Sequence, residues 1–140
     1  MRLGLEIYAT LPAHDCTELA QQAERRGYDS VWLSEGYGHK DAVCHLAAMA
    51  LNTHHIMLGS SVMVVYLRHP VLMGMTALGL AEIANGRFTL GLGAGHRDQL
   101  EQVYGLSIDR PVRWMREYVE VVRLVVEGRE FSYKGEIFSV

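Results

Sequence analysis

The sequence predicts an α/β fold with parallel strands, and two observations lead to that prediction. Four strand-like apolar runs alternate with helix-like runs, which is the order of a βα repeat. The strand-like runs are apolar at successive positions rather than at every second one, as in strands covered on both faces. Since βα units cross over with one handedness, the four strands are expected to run parallel.

Turn signals separate the predicted elements. The strands are predicted over residues 3–9, 30–34, 55–65 and 87–92. The helices are predicted over residues 12–26, 41–51 and 71–84, and a long fourth helix begins at Pro111 and ends at Gly128. Asp41 is the expected N-cap of the second helix, and Pro70 is a first-turn proline. Residues 129–140 are predicted to form an extended tail.

Two architectures fit four βα units, namely a small open doubly wound sheet and half of a closed (β/α)8 TIM barrel. A complete barrel needs about 250 residues. The 140 residues contain four βα units, half of that complement. The strand count by itself leaves both architectures open.

Composition excludes several classes of protein. Hydrophobic residues make up 49% and charged residues 21%, as in globular domains. With a net charge of -3 and no basic cluster, no nucleic-acid partner is expected. No apolar run approaches the length of a membrane span, so no membrane association is expected. The two cysteines, Cys16 and Cys44, are expected to be reduced core thiols of a cytoplasmic protein.

Three familiar catalytic motifs are absent or incomplete. The stretch GLGAGH fails as a dinucleotide fingerprint, because the third glycine of that fingerprint would fall at His96. No pair of histidines has the spacing of metal ligands, so no metal site is expected. No GxSxG turn is present, which argues against a serine hydrolase. Polar residues and glycines instead follow the predicted strands, at the ends where parallel α/β folds bind ligands.

Four stretches carry a resemblance to a known family. They are YDSVWLSE, LGSSVMVVYLRHP, LAEIANGRFTLGLGAGHRD and RPVRWMREYVEVVRLVVEGREFSYKGEIF. In order and spacing they resemble the luciferase-like monooxygenase superfamily, within it most nearly the F420-dependent reductases of the methylene-tetrahydromethanopterin reductase type. The resemblance covers essentially all 140 residues. It implies that residues 1–140 form a single domain, the N-terminal half of a luciferase-like TIM barrel, truncated relative to the family.

The resemblance also implies a cofactor and its contacts. Coenzyme F420 or FMN would place its ring at the carboxyl ends of the strands. A non-proline cis peptide between Ser61 and Val62 would form a bulge behind the ring. Gly93, Ala94 and Gly95 would line the cofactor. The segments that hold the cofactor phosphate in this family come late in the barrel, beyond the part that these residues match.

Two departures from the family pattern suggest the proton-handling residues. Glu35-Gly36 stands where deazaflavin members often carry Asp-His, so that histidine is missing. His96 stands where they often carry an acid, and histidine side chains exchange protons near neutral pH. Glu35 and His96 are therefore the candidate catalytic residues.

The predicted function is hydride transfer between a flavin or deazaflavin and a small organic substrate. FMN-dependent monooxygenation with dioxygen is the alternative within the family, and a non-catalytic half barrel or assembly module is the alternative outside it. A half barrel would also bare apolar residues on its inner face. The candidates, whichever side of the strands faces inward, include Leu5, Ile7, Val31, Leu33, Val62, Val64 and Leu90. We therefore expect a homo-oligomer or a fragment of a longer chain.

Overall fold

The computed structural model describes residues 1–140 as six strands and five helices. The strands are β1 (Gly4–Tyr8), β2 (Ser30–Ser34), β3 (Met57–Ser60), β4 (Met63–Val64), β5 (Phe88–Thr89) and β6 (Leu92–Gly93). The helices are α1 (Ala13–Arg25), α2 (Ala42–Leu51), α3 (Pro70–Ile83), α4 (Arg97–Gln102) and α5 (Pro111–Val126). Strands and helices alternate as predicted, which confirms the α/β class.

The main sheet has four strands in the order β1-β2-β3-β5, and every pair in it is parallel. This order confirms the predicted parallel arrangement. The third and fourth predicted strands are each broken in two, which corrects their predicted extent. Strand β3 ends at Ser60 and β4 begins at Met63, while β5 and β6 are separated by Leu90 and Gly91. Strands β4 and β6 pair in a second, two-stranded sheet.

The chain falls into two compact units. The first unit comprises residues 1–63 and 79–93, and the second comprises residues 64–78 and 94–140. Helix α3 begins in the second unit and ends in the first. Whether residues 1–140 behave as one domain stays a prediction.

The core of the first unit lies on one face of the main sheet. Ile7, Val31 and Leu33 are 3%, 0% and 0% exposed. Helices α1 and α2 add Cys16 and Met49 to this core, both fully buried. These three residues were among the candidates for the bared face, and the structure places them on the covered side of the sheet.

The other side of the same strands carries different residues. In β1 the exposed positions are Gly4, Glu6 and Tyr8, which alternate with Leu5 and Ile7. Because successive side chains of a strand point to opposite faces, this glycine and polar set forms the open face of the sheet. The inner face is therefore more polar than the apolar runs suggested.

Local sequence signals account for most helix boundaries. The Asp41 carboxylate accepts a hydrogen bond from the Val43 N–H at 2.8 Å, which confirms the predicted N-cap of α2. Pro70 and Pro111 are the first residues of α3 and α5, where a proline loses no hydrogen bond. Helix α4 was not predicted, because its six residues are too few to show a helical period.

The second unit is organised around α5 and the tail. Tyr118 is fully buried and its hydroxyl donates to the Arg68 carbonyl at 2.9 Å. Phe138 is the buried anchor of the tail, with its ring 5.0 Å from that of Trp114. Val64, another candidate for the bared face, is 6% exposed in a small cluster with Leu100 and Ile108.

Three expectations drawn from composition can be compared with the structure. Cys16 is buried, but Cys44 is exposed on α2, so Cys44 is not the core thiol that was expected. None of the helices combines the length and apolarity that a membrane crossing requires. The side chains of His, Cys, Asp and Glu form no group of three that could hold a metal ion.

Candidate active site

The carboxyl ends of the first unit's strands carry the candidate residues of that unit. Strand β1 ends at Tyr8, β2 at Ser34 and β3 at Ser60. Glu35 directly follows β2, and Ser61 and Val62 directly follow β3. All three side chains are half-buried, so each is partly open to solvent. The parallel register of β1, β2 and β3 brings these ends to one edge of the sheet.

The bulge after β3 has the geometry that the resemblance implies. The peptide bond between Ser61 and Val62 is cis. The Ser61 N–H still reaches the Leu33 carbonyl of β2, at 2.8 Å, and the Met63 N–H reaches the Gly91 carbonyl at 2.8 Å. Backbone hydrogen bonds on both sides therefore hold the bulge in place.

Two glycines of the GLGAGH stretch are explained by this bulge. A Cβ at Gly91 would overlap the Ser60 carbonyl oxygen, and a Cβ at Gly93 would overlap Cγ2 of Val62. The Ser60 hydroxyl also donates to the Gly91 carbonyl and accepts from the Gly91 N–H, both at 2.9 Å. Close approach of the chain at residues 60–62 requires both glycines, whether or not Gly93 also contacts a cofactor.

Glu6 is a candidate site residue that the sequence analysis missed. Its exposed carboxylate lies on the open face of β1, and the Ser61 hydroxyl donates to its Oε1 at 3.2 Å. The two residues are 55 positions apart in the chain. The available signal was a single carboxylate in the middle of the apolar run LGLEIY.

His39 is a second residue that the analysis missed. Its ring carbon Cε1 lies 3.3 Å from where a Cβ of Gly36 would stand, and its ring centroid lies 6.0 Å from that of Tyr8. Position 36 is where the resemblance expects a histidine. An imidazole therefore lies beside Gly36, although it comes from a residue three positions later.

The remaining predicted residues lie in the second unit. Gly95 has a φ of +69°, which explains a glycine in the turn before α4. His96 is the exposed N-cap residue of α4, and its side chain makes no capping hydrogen bond. Its carbonyl accepts the Leu100 N–H at 3.0 Å, so the backbone of His96 belongs to the helix start while the imidazole is open to solvent. Ala94 is exposed in the same turn.

Comparison with known proteins gives matches over the whole chain. A family model described as luciferase-like monooxygenase matches residues 1–140. The chain is 33% identical over 139 residues to the 5,10-methylenetetrahydromethanopterin reductase of Archaeoglobus fulgidus. That match covers 99% of this chain and 42% of the reductase, so the chain spans about two fifths of this relative's length.

Two solved structures share the fold. The coenzyme F420 dependent tetrahydromethanopterin reductase from Methanopyrus kandleri has a TM-score of 0.90 and 24% identity, over 99% of this chain and 44% of its own. The oxygenating constituent of 3,6-diketocamphane monooxygenase from Pseudomonas putida, solved in complex with FMN, has a TM-score of 0.88 and 22% identity, over 100% and 43%. These likenesses concern the fold, and they confirm the half of a TIM barrel that the resemblance implied.

Proposed function

Since the chain belongs to the luciferase-like monooxygenase family, we propose that it forms part of an oxidoreductase that transfers a hydride between coenzyme F420 and a small organic substrate. The identity of 33% to a methylenetetrahydromethanopterin reductase over 99% of the chain is the observation that carries this proposal. The reductase from Methanopyrus kandleri, which has the same fold, is described as F420 dependent. FMN in place of F420 is the alternative, because an FMN-bound monooxygenase also shares the fold.

The residues after β3 fit the flat ring of such a cofactor. Ser61 and Val62 are short side chains, both half-buried, at the carboxyl end of the sheet. The Val62 side chain packs against Gly93 and therefore stays close to the backbone of that glycine. A planar ring can stack on a surface of this kind. When bound, the deazaflavin supplies or accepts a hydride, which is a hydrogen nucleus with two electrons.

Four residues are proposed for proton handling and orientation. The Glu6 carboxylate orients the Ser61 hydroxyl by accepting its hydrogen bond, and Glu6 is exposed enough to take or give a proton of the substrate. Glu35 and His96 stay candidate acid or base groups, each to be tested by its own variant. Ala94 and Gly95 stay proposed backbone contacts of the cofactor.

Ligand titration tests the proposal. Fluorescence and calorimetric titrations of the 140-residue chain with F420, and separately with FMN, are expected to show binding of F420. Binding of FMN alone, with consumption of dioxygen in the presence of a reductant, would favour the monooxygenase alternative. If neither compound binds a folded chain, the non-catalytic module becomes the better description.

A further inference from the structure

His39 lies at the carboxyl ends of the strands, and the proposed function assigns it no role. Its ring has well-defined contacts. The three atoms nearest to a Cβ built at Gly36 all belong to its ring, at 3.3, 3.4 and 3.7 Å. The ring edge also meets Tyr8, with the two ring planes at 90°. Because glycine has no Cβ, Gly36 leaves room for the imidazole of His39.

The backbone around His39 is tied to the loop after β1. The His39 N–H donates to the Gly36 carbonyl at 3.0 Å, closing a tight turn in which Gly38 has a φ of +76°. The Lys40 N–H donates to the Ala9 carbonyl at 3.0 Å, and the Lys40 ammonium donates to the Thr10 carbonyl at 2.8 Å. These bonds restrict the movement of the turn that carries the imidazole.

The hydrogen bonding of the ring determines which nitrogen is available. Nδ1 lies 3.4 Å from the Ser34 carbonyl oxygen, which can only accept a hydrogen bond. Nδ1 therefore carries the hydrogen in the neutral ring, and Nε2 keeps its lone pair. No protein group contacts Nε2 within hydrogen-bond distance. An imidazole held in this way offers an acceptor to a bound molecule.

We propose that His39 is a ligand-contacting residue of the active site, whose Nε2 accepts a hydrogen bond from an N–H or O–H group of coenzyme F420. Gly36 and Tyr8 position the ring, and Ser34 selects its tautomer. The inference rests on the proposed function, because it assigns this contact to the ligand that binds at the carboxyl ends of the strands.

Two variants test the contact with coenzyme F420 as the probe. His39→Ala is expected to weaken F420 binding by about tenfold, the effect of losing one hydrogen bond to a bound ligand. The double variant Gly36→His/His39→Ala returns an imidazole to the same volume from position 36, and it is expected to recover most of the affinity. His54→Ala, at an exposed histidine before β3, is the matched control and should bind as the wild type does. Thermal unfolding of each variant shows whether the fold is retained.

The outcomes separate this inference from the proposed function. A wild-type chain that does not bind F420 overturns both. A wild-type chain that binds, with His39→Ala binding equally well, overturns the role of His39 alone. A folded double variant that binds no better than His39→Ala also contradicts the role, since a requirement for an imidazole in this volume predicts rescue.

Discussion

The indole ring of Trp32 lies against Gly59 of the neighbouring strand, so closely that a Cβ at position 59 would overlap ring carbons Cε3 and Cζ3. The two residues are register partners in β2 and β3. The indole nitrogen donates to the Ser30 hydroxyl at 2.9 Å, which fixes the ring over the sheet. Position 59 therefore has no room for any side chain while Trp32 keeps this orientation.

Gly59→Ala is expected to destabilise the chain by about 1–3 kcal/mol, the usual cost of overpacking. The free energy of unfolding in urea measures the effect. Gly79→Ala in α3 is the matched control, because nothing lies within 4 Å of a Cβ there. In a helix this control should stabilise by about 0.5–1 kcal/mol. Equal effects of the two substitutions would contradict the packing of Trp32 on Gly59.

Glu117 anchors the tail to α5 through backbone hydrogen bonds. Its buried carboxylate accepts the N–H groups of Glu136, Ile137 and Phe138 at 3.1, 2.9 and 3.1 Å. A Cβ at position 135 would overlap this carboxylate, so only glycine fits at that position of the tail. Burial by itself raises the pKa of Glu117, but these bonds and the nearby Arg113 outweigh it and lower the pKa below its ordinary value of 4.5.

A lowered pKa in the folded state stabilises the fold at pH values above the ordinary pKa, and the stabilisation is lost as the pH falls through the folded value. Glu117→Gln is therefore expected to lower the urea midpoint at neutral pH. The difference between wild type and variant should shrink as the pH falls below about 4.5. A difference that stays constant across this range would show that the carboxylate charge is not what holds the tail.

Glu6→Gln tests the acid or base proposed for the site. The amide oxygen can still accept the Ser61 hydrogen bond, but the side chain no longer takes up a proton. We expect kcat to fall by about 10²-fold or more, with F420 affinity changed little. Steady-state kinetics of the catalytically competent protein measure kcat, and titration with F420 measures its affinity. Glu18→Gln, at an exposed position of α1, should leave both unchanged, and an equal loss in that control would remove the assignment.

His96→Ala separates a chemical role from a structural one. Because the imidazole is exposed and makes no capping hydrogen bond, the free energy of unfolding should change by less than about 0.5 kcal/mol. The turnover rate is expected to fall by more than such a small loss of stability can cause. Parallel urea titrations and kinetics provide the comparison. Unchanged turnover in a folded His96→Ala variant would leave His96 as a helix-start residue only.

The edges of the main sheet predict assembly. The sheet ends in β1 on one side and β5 on the other, and a groove of about 310 Å³ beside β1 is lined partly by Leu5, Leu11 and Leu19. An interface through these edges is expected to bury about 1,200–2,000 Å² in total, the usual range for a stable association.

Sedimentation of the 140-residue chain at low micromolar concentration is expected to show association through these edges, unless further residues of a longer chain cover them. Leu11→Lys should weaken the association, because it places a charge beside β1. Leu51→Lys, at an exposed position of α2, is the control and should have no effect. If the wild-type chain is a cooperatively folding monomer, the sheet edges are stable when exposed to solvent and the predicted association is wrong.

Elements that depend on nearby residues could be predicted from the sequence alone. Apolar periodicity and Pro111 predicted α5, Asp41 predicted the start of α2, and the alternation of units predicted a parallel sheet. Such features depend on residues a few positions apart, so their pattern is visible along the chain. The family resemblance added the cis bond at Ser61-Val62, which periodicity does not reveal.

The buried side of each strand and the contacts between distant polar residues could be read only from the three-dimensional fold. Ile7 and Glu6 are neighbours in sequence, yet α1 and α2 cover the side of the sheet to which Ile7 belongs, while Glu6 stays open and reaches Ser61. The contact of His39 with Tyr8 depends on the pairing of β1 with β2. These contacts join residues distant along the chain, and their geometry follows from strand register and packing, which no local pattern specifies.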